Sequence, residues 1–432
     1  MIRSARIATA ALSSALVLGV LSPAPASAAA DFYTPPTNLP AANGALVRTE
    51  PMKLAIPVPQ GSGSTTLPGS ATRIMYKTTD EGGDPAAVSG VYIEPSKPWT
   101  GKGARPLISF SVGTQGVGDA CAPSKTLESF LVTESGKFMV GYEIPAIYNL
   151  LNDGVAMVIT DYIGLGTTDR VHTYMNREDQ AHAVLDAARA ALRLPNTSIT
   201  SASPIGLYGY SQGGGAAAAA AESAPTYAPE LNLKAAYIGG PPANLFEVMK
   251  SADNTLLTGV IAWAINAITP YRPELAPHLG NLLNAKGLAY LEKSKDQCIA
   301  DAILGAGGKK TSEWTNSGNV ASVEVKKYPE IMKAVEDQRI GKLTPRIPVQ
   351  IATGTKDDIV DHGQAKQLAL DWCAKGVNVT YKPVIQLASS GGLMLTHLGP
   401  MITQLGSSKS WILDRFNGKS ASSNCSTARY LP

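Results

Sequence analysis

A glycine–x–serine–x–glycine pattern at residues 209–213 places Ser211 in a sequence context that is typical of a nucleophilic serine. An apolar run, Pro204–Tyr208, precedes the pattern, and a run of glycine and alanine follows it as far as Ala221. The sequence therefore predicts a strand, a sharp turn and a helix. Such a turn exposes the serine, and the N-terminus of the helix favours the negative charge that develops there. The alternative is a glycine-rich turn before an alanine helix, without chemistry.

A nucleophilic serine needs a general base, and the base needs a carboxylate that orients it. In this type of site the three residues follow in the order Ser, Asp, His. The chain has five histidines, which are His172, His182, His278, His362 and His397. Two of them precede Ser211, the third lies in a segment interpreted below as an insertion, and the fourth is expected to open a helix. His397 follows the next predicted strand, in a loop rich in Ser and Gly, and is the predicted base. A buried structural histidine is the alternative.

The candidate acid follows the apolar strand that runs into Gly354. Asp357 comes three residues later, in the loop at the carboxyl end of that strand, where sheets of this kind keep their active sites. Asp358 is the adjacent competitor, and we interpret it as a solvated loop charge or a helix N-cap. The sequence thus favours Asp357 as the residue that orients His397.

An acyl-transfer site also needs hydrogen-bond donors for the oxyanion of the transition state. The backbone N–H of Gln212, directly after the nucleophile, is expected to be one donor. The second should come from the loop at residues 113–116, after an earlier strand, where either Thr114 or Gln115 could supply it. We choose Thr114. A plain turn is the alternative, since glycine pairs are common in turns.

Short apolar runs alternate with helical patterns around these residues. The predicted strands are Pro106–Val112, Val155–Thr160, Pro204–Tyr210, Leu233–Gly239, Ile347–Thr353 and Val377–Val384. The predicted helices are Ile144–Asn152, Asp179–Leu194, Gly213–Ser223 and His362–Lys375. The alternation indicates an α/β fold with a mostly parallel sheet covered by helices on both faces.

One interval breaks the alternation, because no convincing strand lies between Pro241 and Thr344. This length exceeds any ordinary connection between a strand and a helix. We interpret residues 241–344 as an inserted helical cap. Residues 29–240, which include an N-terminal arm, and residues 345–432 are then the two parts of one core. Within the cap, the apolar segment Thr255–Thr269 is expected to be either cap core or an acyl-binding surface.

The N-terminus predicts export. Arg3 and Arg6 precede an apolar stretch, and the small residues Ala26-Ser27-Ala28 then form a cleavage site, so that residues 1–28 fit a signal peptide. A membrane anchor is the alternative, but the apolar stretch is shorter than the roughly 20 residues that a bilayer requires. The protein is therefore expected to be secreted.

Composition narrows the class of protein further. Of the 432 residues, 44% are hydrophobic and only 16% are charged, which indicates a large buried core. The net charge of +3 and the lack of Lys/Arg runs argue against binding of nucleic acid. The four cysteines, Cys121, Cys298, Cys373 and Cys425, suggest two disulfides with three possible connectivities. Because the sequence has no CxxC motif or histidine-rich cluster, neither a metal nor a cofactor is expected.

The chain resembles the secretory lipases of fungi and actinobacteria, of the lipase A type. The matching segments are Asp31–Pro36, Gly118–Ser124, Asp161–Gly166, Gly209–Gly214 and Gly354–Val360. The resemblance implies an α/β-hydrolase fold and a triad of Ser211, Asp357 and His397. It also implies a helical cap after the nucleophile strand and a C-terminal flap near residues 399–432. The oxyanion loop of the family can carry an acidic residue, which this chain lacks between Thr114 and Gly116.

Three hypotheses about function follow. The first is a secreted serine ester hydrolase, similar to triacylglycerol lipases, that cleaves acylglycerols or other lipid esters through an acyl-enzyme on Ser211. The second is an extracellular acyltransferase that acts on envelope glycolipids with the same triad, since both reactions pass through an acyl-enzyme. The third, a binding protein on an inactive hydrolase scaffold, is disfavoured by the complete triad. A monomer with transient contact to a lipid interface is expected.

The cysteines are expected to pair as Cys121–Cys298 and Cys373–Cys425. The first bond would tie the cap to the catalytic domain, because Cys121 follows the oxyanion loop and Cys298 lies in the insertion. The second would pin the C-terminal tail to the helix after Asp357.

Overall fold

Nine strands form one mixed sheet, with the strand that leads to Ser211 near its middle. The computed structural model describes residues 31–55, 58–59, 65–66, 68–134, 136–167 and 169–432, so the expected signal peptide lies outside the described residues. In the described part the strands are β1 Leu46–Met52, β2 Val58–Pro59, β3 Thr65–Thr66, β4 Gly69–Thr79, β5 Pro85–Pro95, β6 Leu107–Ser111, β7 Leu131–Glu134, β8 Lys137–Val140, β9 Ala156–Thr160, β10 Ile205–Tyr210, β11 Leu233–Gly239, β12 Val349–Gly354 and β13 Val379–Val384.

The α-helices lie between and after these strands. Within the described ranges they are α1 Pro123–Ser129, α2 Ile144–Leu151, α3 Arg177–Leu192, α4 Gln212–Tyr227, α5 Leu245–Ala252, α6 Val260–Ile268, α7 Ala276–Leu282, α8 Ala285–Lys293, α9 Ile299–Ala306, α10 Ala321–Glu324, α11 Pro329–Asp337, α12 His362–Ala374, α13 Leu395–Thr403 and α14 Leu405–Phe416. Each of them is too short or too polar to span a bilayer.

The large sheet has the order β1-β4-β5-β9-β6-β10-β11-β12-β13. Six neighbouring strands run parallel, namely β9, β6, β10, β11, β12 and β13. Strands β1, β4 and β5 add an antiparallel edge. Every residue of β6, β9, β10 and β12 is buried, as expected for parallel strands that are covered on both faces. Because parallel strands share a direction, the loops after β6, β10 and β12 leave the sheet at the same edge, where the predicted site residues lie.

Helices α5–α11 separate β11 from β12. Their apolar side chains form a second core, distinct from the core on the sheet and including the fully buried Trp263. We call α5–α11 the inserted helices.

The last helices belong to the main body of the fold. In α14, Ile412 and Phe416 are buried in the core on the sheet, and the disulfide Cys373–Cys425 joins the tail to α12. The other disulfide, Cys121–Cys298, joins the loop after β6 to the inserted helices. These are the two pairs expected from the sequence.

Candidate active site

Ser211 lies in a strained turn between β10 and α4. Its backbone has φ 58° and ψ −125°, a conformation that is costly for a residue with a side chain. The two flanking glycines make the turn possible. A Cβ atom on Gly213 would lie 1.9 Å from the carbonyl oxygen of Ser111, and one on Gly209 would lie 2.2 Å from that of Gly213. The turn therefore requires glycine on both sides of the serine.

The structure brings Ser211, His397 and Asp357 together. Nε2 of His397 lies 2.8 Å from Oγ of Ser211, and Nδ1 lies 2.8 Å from Oδ2 of Asp357. The side chains of His397 and Asp357 are 1% and 0% exposed. Asp357 also accepts hydrogen bonds from the backbone N–H groups of Ile359 and Val360, which fix its carboxylate. With Nδ1–H donating to Asp357, the lone pair of Nε2 faces the serine hydroxyl, as a general base requires.

The prediction that His397 lies in a loop was wrong in one respect. A loop does span residues 385–394, but His397 is the third residue of α13. The other histidines bond elsewhere: His172 to Ile163 and Gln212, His182 to Thr79, His278 to Glu330, and His362 to Tyr381. Of the described histidines, only His397 contacts Ser211.

The predicted oxyanion loop lies against the nucleophile. A Cβ atom on Gly113 would be 3.7 Å from that of Ser211. The side chain and carbonyl of Thr114 bond to the hydroxyls of Tyr174 and Tyr142, at 2.9 Å each, which leaves its backbone N–H as the group available to a substrate. The other predicted donor is the backbone N–H of Gln212. Because Gln212 is the first residue of α4, this N–H has no acceptor within the helix. The geometry keeps Thr114 as our predicted second donor.

Gln115, the alternative to Thr114, is engaged otherwise. Its carbonyl accepts from the N–H of Ile299 on the inserted helices, and its side chain donates to the carbonyl of Gly113. Residues Gly116 and Cys298 form a bridge next to the disulfide Cys121–Cys298. The oxyanion loop is thus attached directly to the inserted helices.

His172 contacts the side chain of Gln212 and was not predicted as a site residue. Its Nδ1 lies 2.8 Å from the carbonyl of Ile163, and its Nε2 lies 3.3 Å from the side-chain nitrogen of Gln212. Burial lowers the pKa of His172 to about 4, so the ring is neutral and can accept from Gln212. Nothing in the local sequence signals this role, because 40 residues separate the partners.

Glu143 is a second residue that the sequence did not reveal. Its carboxyl is buried, and the N–H of Gly113 donates to it at 2.7 Å, just before Thr114. Burial raises the pKa of Glu143 to about 8, although the bond from Gly113 opposes this shift. A carboxyl that is protonated at neutral pH therefore anchors the start of the oxyanion loop.

An apolar cavity lies among the inserted helices. Its empty volume is about 1090 Å³, including its opening to solvent. Val260, Ile261, Ile265 and Ile268 of α6 line it, whereas the indole of Trp263 bonds to Gln297 and does not. Tyr174 also lines the cavity, and its hydroxyl bonds to Thr114. Tyr174 therefore contacts both the cavity and the predicted oxyanion loop.

Comparison with known proteins identifies the family of this chain. The family model described as secretory lipase matches residues 132–424, about two thirds of the chain. The chain belongs to the secretory lipase family. It is 29% identical to Lipase 5 of Candida albicans, over 91% of this chain and 82% of that protein. It is 28% identical to a probable inactive lipase of Mycobacterium tuberculosis, over 90% of this chain and 82% of that one.

Among solved structures, Candida antarctica lipase A in its closed state has a TM-score of 0.75 and 21% identity. The match covers 92% of this chain and 87% of that one. The α/β-hydrolase fold predicted for this secretory lipase is confirmed. Family and fold together support a hydrolase that acts on lipid esters. The description "inactive" applies to the mycobacterial relative, whereas the contacts among Ser211, His397 and Asp357 are intact here.

The two disulfides should differ in their effect on catalysis. Replacing either pair by serines should lower the free energy of unfolding by about 2–4 kcal/mol, because the unfolded chain is no longer cross-linked. Only loss of Cys121–Cys298 should also lower kcat, since this bond adjoins the oxyanion loop. Thermal unfolding checks the loss of stability. The effect on catalysis is checked by kcat, measured well below the melting temperature of each variant. An equal loss of kcat in the Cys373–Cys425 variant would contradict it.

Glu143 should make stability depend on pH. A carboxyl with a raised pKa in the folded state stabilises the fold at low pH, and this contribution is lost as the pH rises from about 4.5 to about 8. Glu143→Gln stays neutral and can still accept from Gly113. Its melting temperature relative to wild type should therefore increase across that range.

The matched control for this measurement is Glu292→Gln, whose native side chain is 74% exposed. It should show no such trend. Parallel curves for Glu143→Gln and wild type between pH 5 and pH 9 would refute the raised pKa.

Proposed function

We propose that this chain is a secreted serine hydrolase that cleaves acylglycerols or other lipid esters through an acyl-enzyme on Ser211. The observation that carries the proposal is the continuous contact from Ser211 through His397 to Asp357, at 2.8 Å for each step. The order and orientation of the three groups are those of a serine nucleophile activated by an oriented histidine. Membership of the secretory lipase family and the two disulfides support export.

The reaction follows from these positions. Oγ of Ser211 attacks the ester carbonyl carbon while His397 accepts the hydroxyl proton at Nε2, and Asp357 stabilises the imidazolium. The N–H groups of Gln212 and Thr114 donate to the oxyanion. Nε2 then protonates the leaving alcohol, and the acyl group remains on Ser211. Water, deprotonated by His397, attacks the acyl-enzyme and releases the carboxylic acid and the free serine.

The inserted helices supply the acyl site in this proposal. We assign residues 241–344 to a helical cap on a core formed by residues 29–240 and 345–432. The cavity of the cap is apolar on nearly all sides, as a hydrocarbon chain requires, and one of its lining residues, Tyr174, contacts Thr114 of the oxyanion loop. Both the triad and the cavity are assembled within a single chain, which supports a monomer as the active form.

A lipid surface fits the exterior beside His397. Residues 385–404 contain no Asp, Glu, Lys or Arg. Large apolar side chains in this segment face solvent, namely Ile385, Leu387, Leu393, Leu395 and Ile402. We call these five residues the apolar rim. Exposed apolar side chains concentrated in one segment are typical of contact with lipid or protein partners, and this segment also carries His397. We propose transient contact between the apolar rim and the lipid interface.

The function is tested with p-nitrophenyl esters from C2 to C18, an emulsified triglyceride and, in parallel, a glycolipid acceptor. Ser211→Ala should lower kcat by on the order of 10⁶, and His397→Ala should be comparably damaging. His362→Ala, the matched control, should retain turnover, because His362 bonds to Tyr381 and not to Ser211. Turnover near wild type in His397→Ala would overturn the assignment of the base. Transfer to the glycolipid in preference to water would make the chain an acyltransferase.

The cavity should determine the preference for chain length. Ile265→Trp places a larger side chain in the cavity and should lower kcat/KM for long-chain esters about 10- to 200-fold more than for acetate. The control is Leu304→Trp, a substitution on the surface of the inserted helices, where the native side chain is 87% exposed. An equal decrease of kcat/KM for all chain lengths would show that α6 has only a structural role.

The apolar rim should determine adsorption. Leu387 is 98% exposed, and Leu387→Ser removes a side chain whose burial in lipid contributes about 1.5–3 kcal/mol. Binding to a triglyceride emulsion, measured by sedimentation, should weaken about tenfold or more, while hydrolysis of a soluble short-chain ester should not change. Leu304→Ser should leave adsorption unchanged. If Leu387→Ser adsorbs like wild type, the rim is not the lipid contact.

A further inference from the structure

Asp358, interpreted from the sequence as a solvated loop charge or a helix N-cap, is bound by a distant segment of the chain. Its Oδ2 accepts hydrogen bonds from the backbone N–H groups of Gly392 and Met394, at 2.9 and 3.0 Å, and from the hydroxyl of Ser390. Its Oδ1 accepts from the backbone N–H of His397 at 3.1 Å. The chain between Ser390 and His397 thus folds around this carboxylate.

Helix α13 has no capping residue of its own. Its N-cap position is Met394, which has no side-chain acceptor and lies in the left-handed region with φ 67°. Unpaired N–H groups at a helix N-terminus attract an acceptor with negative charge. Asp358, 36 residues earlier in the chain than Met394, takes this place. Burial raises the pKa of Asp358, but hydrogen bonds from Ser390, Thr396 and the N–H of Met394 outweigh burial, and the pKa is lowered.

Three groups therefore hold His397. Asp357 accepts from the ring, Asp358 accepts from the backbone N–H, and the hydroxyl of Tyr210 donates to the backbone carbonyl at 2.6 Å. The contact with Asp357 fixes only the rotation of the imidazole about the side-chain torsions of His397. The two backbone contacts fix where the side chain begins, at the first turn of α13.

We propose that Asp358 is a positioning residue for the general base: it sets the distance between Nε2 of His397 and Oγ of Ser211 by capping the helix that carries the histidine. The inference rests on the proposed function, in which His397 is the base. If the cap is lost, the first turn of α13 shifts, and the ring must break its contact with Ser211 or with Asp357. A displacement on the order of 1 Å at a reacting group can cost about 100-fold in rate.

The test compares Asp358→Ala with Asp361→Ala. Asp361 is the matched control, because it is also an aspartate that caps a helix, accepting from the N–H of Gly363 at 2.9 Å at the start of α12. Active sites are counted by covalent labelling of Ser211 with a p-nitrophenyl phosphonate, and kcat and KM are measured per labelled site on a soluble ester. Asp358→Ala should lower kcat about 10- to 100-fold and leave KM within about threefold.

The pH profile separates positioning from a merely structural role. In Asp358→Ala the acid limb of kcat/KM should move to lower pH, because a misaligned imidazolium loses stabilisation by Asp357 and because the carboxylate charge of Asp358 is removed. A shift of the acid limb in Ser390→Ala, which keeps that charge, isolates the first cause. Asp361→Ala should lower the melting temperature without moving kcat or the acid limb. If Asp358→Ala does not fold, Ser390→Ala, which removes one donor to the carboxylate, should show the same changes at smaller size.

The proposal is overturned if kcat per labelled site stays within twofold of wild type and the acid limb does not move. This applies to Asp358→Ala, or to Ser390→Ala when only that variant folds. It is also overturned if Asp361→Ala loses as much. Failure of the proposed function looks different, because wild type would then hydrolyse no ester. In that case the downfield proton NMR signal of the Nδ1–H between His397 and Asp357 decides: its loss in Asp358→Ala, with retention in Asp361→Ala, supports positioning, and its retention in both refutes it.

Discussion

The strained backbone of Ser211 is the constraint around which the other parts of the site are arranged. A residue with a side chain at φ 58° is tolerated only if its surroundings fix it. Here the N–H of Ser211 donates to the carbonyl of Gly239 on β11, and Gly213 lies so close to Ser111 on β6 that no side chain fits between them. The two strands on either side of β10 thus hold the turn, and the serine hydroxyl points out of the carboxyl edge of the sheet.

The same edge of the sheet carries the proposed base and the proposed acid. Strand β12 ends at Gly354, and the loop that follows carries two adjacent carboxylates, Asp357 and Asp358. Because neighbouring residues direct their side chains differently, one carboxylate reaches the imidazole of His397 and the other reaches the backbone of the helix that bears it. A short loop on a rigid strand can in this way control both the orientation and the location of a residue 40 positions away.

The oxyanion loop depends on buried polar groups and on the inserted helices. Glu143 accepts a hydrogen bond at its start, neutral His172 contacts the side chain of Gln212, and the disulfide Cys121–Cys298 attaches the segment that follows it to the inserted helices. Tyr174 bonds to Thr114 and also lines the apolar cavity. The proposed acyl cavity and the proposed oxyanion donor Thr114 are therefore linked through a single side chain, that of Tyr174.

The sequence alone was sufficient for features that arise from local constraints. A strand, a glycine-flanked serine and a small-residue helix predict the turn at Ser211, and the carboxyl end of an apolar strand predicts Asp357. The alternation of strands and helices predicts the parallel sheet, because burial on both faces leaves a local apolar pattern.

Only the tertiary structure decided the features that depend on partners far apart in the chain. His397 lies in a helix and not in a loop because the cap of α13 comes from Asp358, and no capping signal exists near Met394. Likewise, Ile265 faces the cavity while Trp263 does not, although both lie in the same apolar run, because the packing of the other inserted helices determines which face of α6 is covered.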